Sequence, residues 1–234
     1  MTTWNSITSL KGEFEAEGLS RLDVASEALF AARHGLDYLV KISGAEAKSD
    51  LFYLADLGIK SIVCPMVETA FAMEKYMQML STFHFEHVAV TIETVTAVAN
   101  LESILDAGAA LTEVTIGRTD LTASFKGEGV ESERTMDMVK LVARAARNRN
   151  LKVTMGGSIS KHTRDRFNED PDLLEVLDFV ETRKVVMSVE SFTDEASLSH
   201  ALEIESLLLR RRARYAERTL SGIDARLSAL TRRA

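Results

Sequence analysis

With a single cysteine, Cys64, this chain can form no internal disulfide, which fits a reducing compartment. Proline is scarce, at two in 234 residues, and glycine stops at twelve, so linkers and disordered tracts are not expected. No apolar run approaches the roughly 20 residues that span a bilayer. The opening residues, Met1-Thr-Thr-Trp-Asn-Ser6, lack a signal-peptide pattern. A cytoplasmic protein with no membrane partner is expected. An excess of basic charge is missing too: the net charge is −7, which does not favour nucleic acid as a partner.

What is present is an ordinary globular balance, 46% hydrophobic and 27% charged, in a chain long enough for one large core. Short β-rich runs alternate with amphipathic stretches. The runs are Leu10–Glu17, Tyr38–Ile42, Ser61–Met66, His87–Thr94, Glu113–Gly117, Leu151–Met155 and Phe179–Met187. Helices are expected over Leu22–His34, Ala47–Leu57, Ala70–Leu80, Ala97–Leu105, Ser132–Asn148 and Lys161–Leu177. Such alternation implies a parallel sheet. Polar residues follow nearly every run, which favours closure into a TIM-like (β/α) barrel whose strand ends share one mouth. Seven strands are evident, so one is missing or irregular. The barrel is expected to occupy residues 1–192, and residues 193–234 a C-terminal helical extension. That extension carries leucine faces (Leu198, Leu202, Ile204, Leu207, Leu208; then Leu220, Ile223, Leu227, Leu230), many arginines from Arg210 to Arg233, and an expected break near Gly222. Its apolar faces call for a partner, and a homo-oligomer is expected.

Glu93 and Asp120 are the most informative pair. Each ends an apolar run, with a helical stretch between, so both carboxylates emerge at one end of the sheet. Two hard oxygen donors there suit a divalent cation such as Mg²⁺; the alternative is that they cap helices. Lys41 lies on an otherwise apolar strand and needs a partner if it points inward, with Glu15 or Glu46 as candidates. Alternation in Glu13-Phe-Glu-Ala-Glu17 puts three acids on one face, towards the lumen or towards water. The same alternation pairs Glu181 with Arg183, unless Arg183 reaches a substrate anion. Gly156-Gly157-Ser158 offers either an anion-binding turn or a plain tight turn.

Pro65-Met-Val-Glu68, Ile92-Glu93-Thr94 and Ile116-Gly-Arg-Thr-Asp120-Leu-Thr-Ala-Ser124, in that order, resemble the HpcH/HpaI aldolase and citrate lyase β-subunit superfamily. These proteins are similar to the phosphoenolpyruvate-binding barrels, and the resemblance covers about Leu10 to Met187. It implies that Glu93 and Asp120 hold Mg²⁺ or Mn²⁺, and that the metal chelates a 2-oxo acid or an acyl-CoA carbonyl whose enolate forms during carbon–carbon cleavage or formation. On that footing Lys41 balances the enolate charge or holds the substrate, while Arg183, Gly156, Gly157 and Arg118, unless it faces away, bind the anionic substrate. The usual histidine base has no counterpart, which leaves Glu15 or Glu46 for proton transfer. Acyl-CoA lyase or thioesterase chemistry, or a metal-binding scaffold without catalysis, are the alternatives.

Overall fold

The structure, a computed structural model, describes residues 4–231, with side chains described as far as Leu227. Met1–Thr3, the Leu230 side chain, Arg232 and Arg233 lie outside the described residues. The strands are β1 (Ser9–Glu13), β2 (Asp37–Lys41), β3 (Ser61–Cys64), β4 (His87–Ile92), β5 (Glu113–Gly117), β6 (Lys152–Gly156), β7 (Phe179–Glu181) and β8 (Val185–Ser188). They close into a barrel in sequence order. Neighbours from β1 to β7 are parallel, but β8 runs antiparallel to both β7 and β1. The run Phe179–Met187, which reads as one strand, is thus a hairpin, and the missing eighth strand lies inside it. Its turn is closed by Thr182, whose backbone N–H donates to the Val185 carbonyl at 2.8 Å, and whose Oγ1 accepts from the Val185 N–H at 3.2 Å.

The helices are α1 (Arg21–Arg33), α2 (Lys48–Asp56), α3 (Ala70–Leu80), α4 (Val95–Ala99), α5 (Leu101–Asp106), α6 (Arg118–Ser124), α7 (Glu133–Arg147), α8 (Lys161–Glu169), α9 (Asp172–Val176), α10 (Val189–Phe192) and α11 (Glu195–Thr231). Ser20 and Asp23 form a reciprocal capping box at the start of α1, and Thr69, Thr94 and Ser132 cap α3, α4 and α7. Pro171, at the N-cap of α9, lacks the N–H that a continuous helix would need, so Lys161–Leu177 is two helices.

Outward strand residues such as Val40, Ile62, Val90, Val114 and Val153 are wholly buried in the main core between barrel and helices. Each side chain of this kind contributes about 1.5–3 kcal/mol by leaving water. The barrel interior is layered. Leu39, Val63, Ala89 and Val186 form a small apolar floor. Above it Thr91, Thr115 and Thr154 are paired in register across β4, β5 and β6. Charged side chains occupy the level of the strand ends.

Helix α11 is continuous over 37 residues, roughly 55 Å at 1.5 Å per residue. The expected break at Gly222 does not occur: one exposed helical glycine costs about 1 kcal/mol, which is tolerable in so long a helix. Ala201, Ile204 and Leu208 pack on the core, while Leu202 and Leu207 are exposed. Beyond them Leu209, Tyr215, Leu220 and Ile223 face outward. Among the described residues no helix is long and apolar enough to cross a membrane.

Candidate active site

A cavity of about 480 Å³ opens where the parallel strands end. Glu93, just after β4, lies on its wall and is 2% exposed. Its Oε1 accepts the Met66 N–H at 2.9 Å, and its Oε2 lies 3.4 Å from the Lys41 Nζ. Met66 takes a left-handed φ of 53° at this point, a conformation rare for such a side chain. The segment Pro65–Glu68 is held against the next one: Thr94 Oγ1 donates to Glu68 Oε1 at 2.6 Å, and Asn100 Nδ2 donates to the Glu68 carbonyl at 2.9 Å. Burial raises the Glu93 carboxyl above its ordinary value; Lys41 and the Met66 N–H pull it back, and Asp120 pushes it further up.

Asp120 lines the same cavity from the first turn of α6. Gly117 stands between the two, and a Cβ there would sit 2.8 Å from Glu93 Oε2. The donor set fits a hard divalent cation. One buried and one accessible carboxylate converge, and the buried one is held in a desolvated state that a cation would relieve. Magnesium commonly takes one or two carboxylates and completes its shell with water and substrate.

Beside this pair is a charged group that sequence reasoning left out of the site. Lys11, 5% exposed, reaches Glu13 Oε1 at 2.7 Å and Glu181 Oε1 at 2.6 Å. All three residues line the cavity. Burial alone would lower the Lys11 pKa, but Glu181 and Glu13 override it and the ammonium is held firmly charged. Burial would raise Glu13, yet Lys11 and Lys41 bring it below the ordinary carboxylate value. A signal existed: Lys11 and Glu13 are two apart on one strand and therefore share a face.

Several expected site residues stand elsewhere. Arg118 is wholly buried and does not line the cavity. Its Nε donates to the Gly156 carbonyl at 3.1 Å, and its Nη2 to the Gly157 carbonyl at 2.8 Å and Thr163 Oγ1 at 3.3 Å. Its Nη1 meets Glu131 Oε1 at 3.0 Å. Arg118 therefore holds the glycine turn in place instead of meeting substrate. Glu15 lies exposed on the turn after β1, because the strand ends at Glu13 and alternation stops there. Glu46 is exposed beside Lys75, 3.9 Å away, and lies outside the cavity wall. The Lys41 partner is Glu93, not Glu15 or Glu46.

Arg183 sits on the β7–β8 turn, so it does not share a strand face with Glu181. It lines the cavity, makes no ion pair among the described residues, and acts electrostatically on Glu13. Gly157 lines the cavity at φ +88°, where a Cβ would meet the Thr119 nitrogen at 2.6 Å. Gly156, one residue earlier, ends β6; α8 starts only at Lys161, so the glycine pair does not open that helix. Cys64 is packed in the core, and burial pushes its thiol up to about 12.

A closed barrel with these segments in this order around its mouth points to a class of lyases and aldolases. The sequence model of the HpcH/HpaI aldolase/citrate lyase family matches residues 23–170, and the chain belongs to that family. No curated protein matches the chain. Among solved structures, an HpcH/HpaI aldolase/citrate lyase family protein from Burkholderia cenocepacia J2315 is similar at 16% identity, with a TM-score of 0.62 over 83% of this chain and 84% of that one. The HpcH/HpaI aldolase from Desulfitobacterium hafniense DCB-2 is 17% identical, with a TM-score of 0.58 over 68% and 72%. The citrate synthase SbnG is 13% identical, with a TM-score of 0.60 over 89% and 85%. These likenesses show the fold.

Proposed function

We propose that the chain is a Mg²⁺- or Mn²⁺-dependent carbon–carbon lyase or aldolase that works through the enolate of a small 2-oxo acid. The observation that carries this reading is the gathering of Glu93, Asp120, Lys41 and Arg183 around one open cavity. Glu93 and Asp120 would hold the ion, which supplies Lewis-acid stabilisation for the negative charge developing on the substrate. Lys41 sets a second positive charge beside Glu93. Arg183, with its guanidinium unpaired at the rim, takes the substrate carboxylate. Residues Thr91, Gly117 and Gly157 shape the wall without adding charge. A cavity of about 480 Å³ with a single arginine on its lining supports a small acid over acyl-CoA.

Calorimetric titration of metal-stripped protein with Mg²⁺ and Mn²⁺, with and without oxalate as an enolate mimic, tests the proposal. Metal should bind and tighten with oxalate. Glu93→Gln and Asp120→Asn should each weaken metal binding by at least roughly 100-fold, since each removes a direct ligand. Undiminished binding in either variant removes that residue from the ligand set. Acid should weaken binding as well. The Glu93 carboxyl titrates above its ordinary 4.5, so protonation removes this ligand as pH falls through the raised value, and binding there should release protons. Affinity independent of pH across that window would exclude Glu93.

The same reading includes a homo-oligomer built on the outward face of α11, where Leu209, Leu220 and Ile223 are exposed. Light scattering should give a multimeric mass, and Leu220→Glu with Ile223→Glu should lower it. A wild-type monomer at micromolar concentration would end this part of the proposal.

A further inference from the structure

Register places four residues in one row across the barrel mouth. Ile92 pairs with Ile116, Gly117 with Gly156, and Met155 with Val180. Continued by one residue, this reads Glu93, Gly117, Gly156, Glu181 on four adjacent strands. The two central positions have no side chain, and the two outer carboxylates lean over them. A Cβ on Gly117 would lie 2.8 Å from Glu93 Oε2, and one on Gly156 would lie 2.8 Å from Glu181 Oε1. The result is a bare backbone floor between two facing carboxylates, both on the wall of the same cavity.

The carboxylates differ in their partners. Glu93 has both oxygens engaged, one by Met66 and one by Lys41. Glu181 has only Oε1 engaged, by Lys11 at 2.6 Å. Its Oε2 is buried and has no hydrogen-bond partner among the described residues, and the residue, 6% exposed, lines the cavity. A buried carboxylate oxygen left open beside a binding cavity is costly unless something arrives to meet it. Lys11 is itself fixed by Glu13, so the Glu181 carboxylate is held in place at the cavity wall.

We propose that Glu181 is the catalytic residue that carries the proton, opposite the Glu93 and Asp120 pair; this rests on the metal–enolate reading above. In the cleavage direction the substrate has a hydroxyl on the carbon second from its carbonyl carbon. The ionised Glu181 carboxylate takes the hydroxyl proton. The O–H electron pair forms the new carbonyl, and the carbon–carbon bond breaks. The pair from that bond moves onto the original carbonyl and leaves an enolate. Glu181, now a carboxylic acid, returns its proton to the enolate carbon and is ionised again. No electrons are gained or lost, and no second reactant is needed. Glu15 and Glu46, being outside the cavity, take no part.

The test uses pyruvate in D₂O with the Mn²⁺- or Mg²⁺-loaded full chain. Removing and returning a methyl proton exchanges deuterium into pyruvate, followed by loss of the methyl signal in NMR. Glu181→Gln should slow this exchange at least about 100-fold, the lower end for loss of a general base. Oxalate binding by calorimetry should not change, and Glu181→Asp should give an intermediate rate. Wild-type exchange that persists in Glu181→Gln overturns the assignment and leaves the metal–enolate reading intact. Loss of oxalate binding together with exchange also overturns it, since Glu181 would then be holding the site's shape. A wild type that neither binds oxalate nor exchanges overturns both. If Glu181→Gln does not fold, Glu181→Asp decides: slower exchange with unchanged oxalate binding supports the role, and an unchanged rate refutes it.

Discussion

Replacing Lys184 by alanine should lower folding stability by about 3–5 kcal/mol, measured by urea unfolding, the loss typical when one partner of a buried ion pair is removed. Lys184 is 2% exposed and its ammonium serves two carboxylates, Glu17 Oε2 at 2.5 Å and both Glu27 oxygens at 3.0 Å. Tyr38 adds a hydrogen bond to Glu27 Oε2 at 2.9 Å, and Gly12 leaves room for that hydroxyl, which a Cβ would strike. Without the lysine, two buried carboxylates face each other. Burial already raises the Glu17 carboxyl, and Lys184 is what pulls it down. In the variant the folded protein would bind that proton more tightly than the unfolded chain does. Stability should therefore fall as pH rises from about 4.5 through the raised Glu17 value, and the deficit against wild type should be smallest in acid. Adding Glu27→Gln should recover part of the loss. A deficit below about 1 kcal/mol would mean the group behaves as a solvated surface pair.

Arg118→Met should be nearly as damaging, again by about 3–5 kcal/mol, because it takes the cation from Glu131, which keeps only the Thr163 hydroxyl, and frees the Gly156 and Gly157 carbonyls. Unlike Lys184→Ala, it should also loosen the site. The released carbonyls belong to the glycine floor, and Gly157 sits tightly on the α6 start that carries Asp120. The shift in melting temperature produced by saturating Mn²⁺ should shrink in this variant. Arg118→Lys keeps the charge but cannot span both carbonyls, Thr163 and Glu131 at once, so it should lie between wild type and Arg118→Met in both measurements. An unchanged Mn²⁺ response in a destabilised Arg118→Met would separate the glycine turn from metal binding.

Strands β2 to β6 could be located from sequence because each is a short apolar run flanked by helix-forming segments. The hairpin of β7 and β8 could not. Its turn, Thr182-Arg-Lys184, has neither glycine nor proline and reads as strand alternation. That one misreading put Glu181 and Arg183 on a shared face and hid Lys184 altogether. Glu15 was misplaced for a related reason: the alternation of acids continues past Glu13 in sequence, while the backbone turns at Phe14. Glu13 fits the lumen and the wet face of an edge strand equally in sequence, since charge inside a closed barrel and charge facing water share the same two-residue period. The position of Asp120 on a helix, and the burial of Arg118 two residues earlier, depend on the direction in which α6 leaves the sheet. Periodicity does not encode that direction.

The antiparallel strand β8 also bears on the order of folding. Strands β1 to β7 can assemble through successive neighbouring units, but the ring closes only when β8 docks on β1, joining the two ends of the barrel. The contacts that seal this seam are among the longest loops in the chain: Lys11 to Glu181 spans 170 positions and Glu27 to Lys184 spans 157. Loops of that size close late because their entropy is lost before any contact rewards it. One of these contacts, Lys11 with Glu181, lies on the wall of the cavity. An open, partly folded barrel therefore lacks a finished cavity wall, and during synthesis that wall cannot be complete before the hairpin has been made and has come round to the first strand.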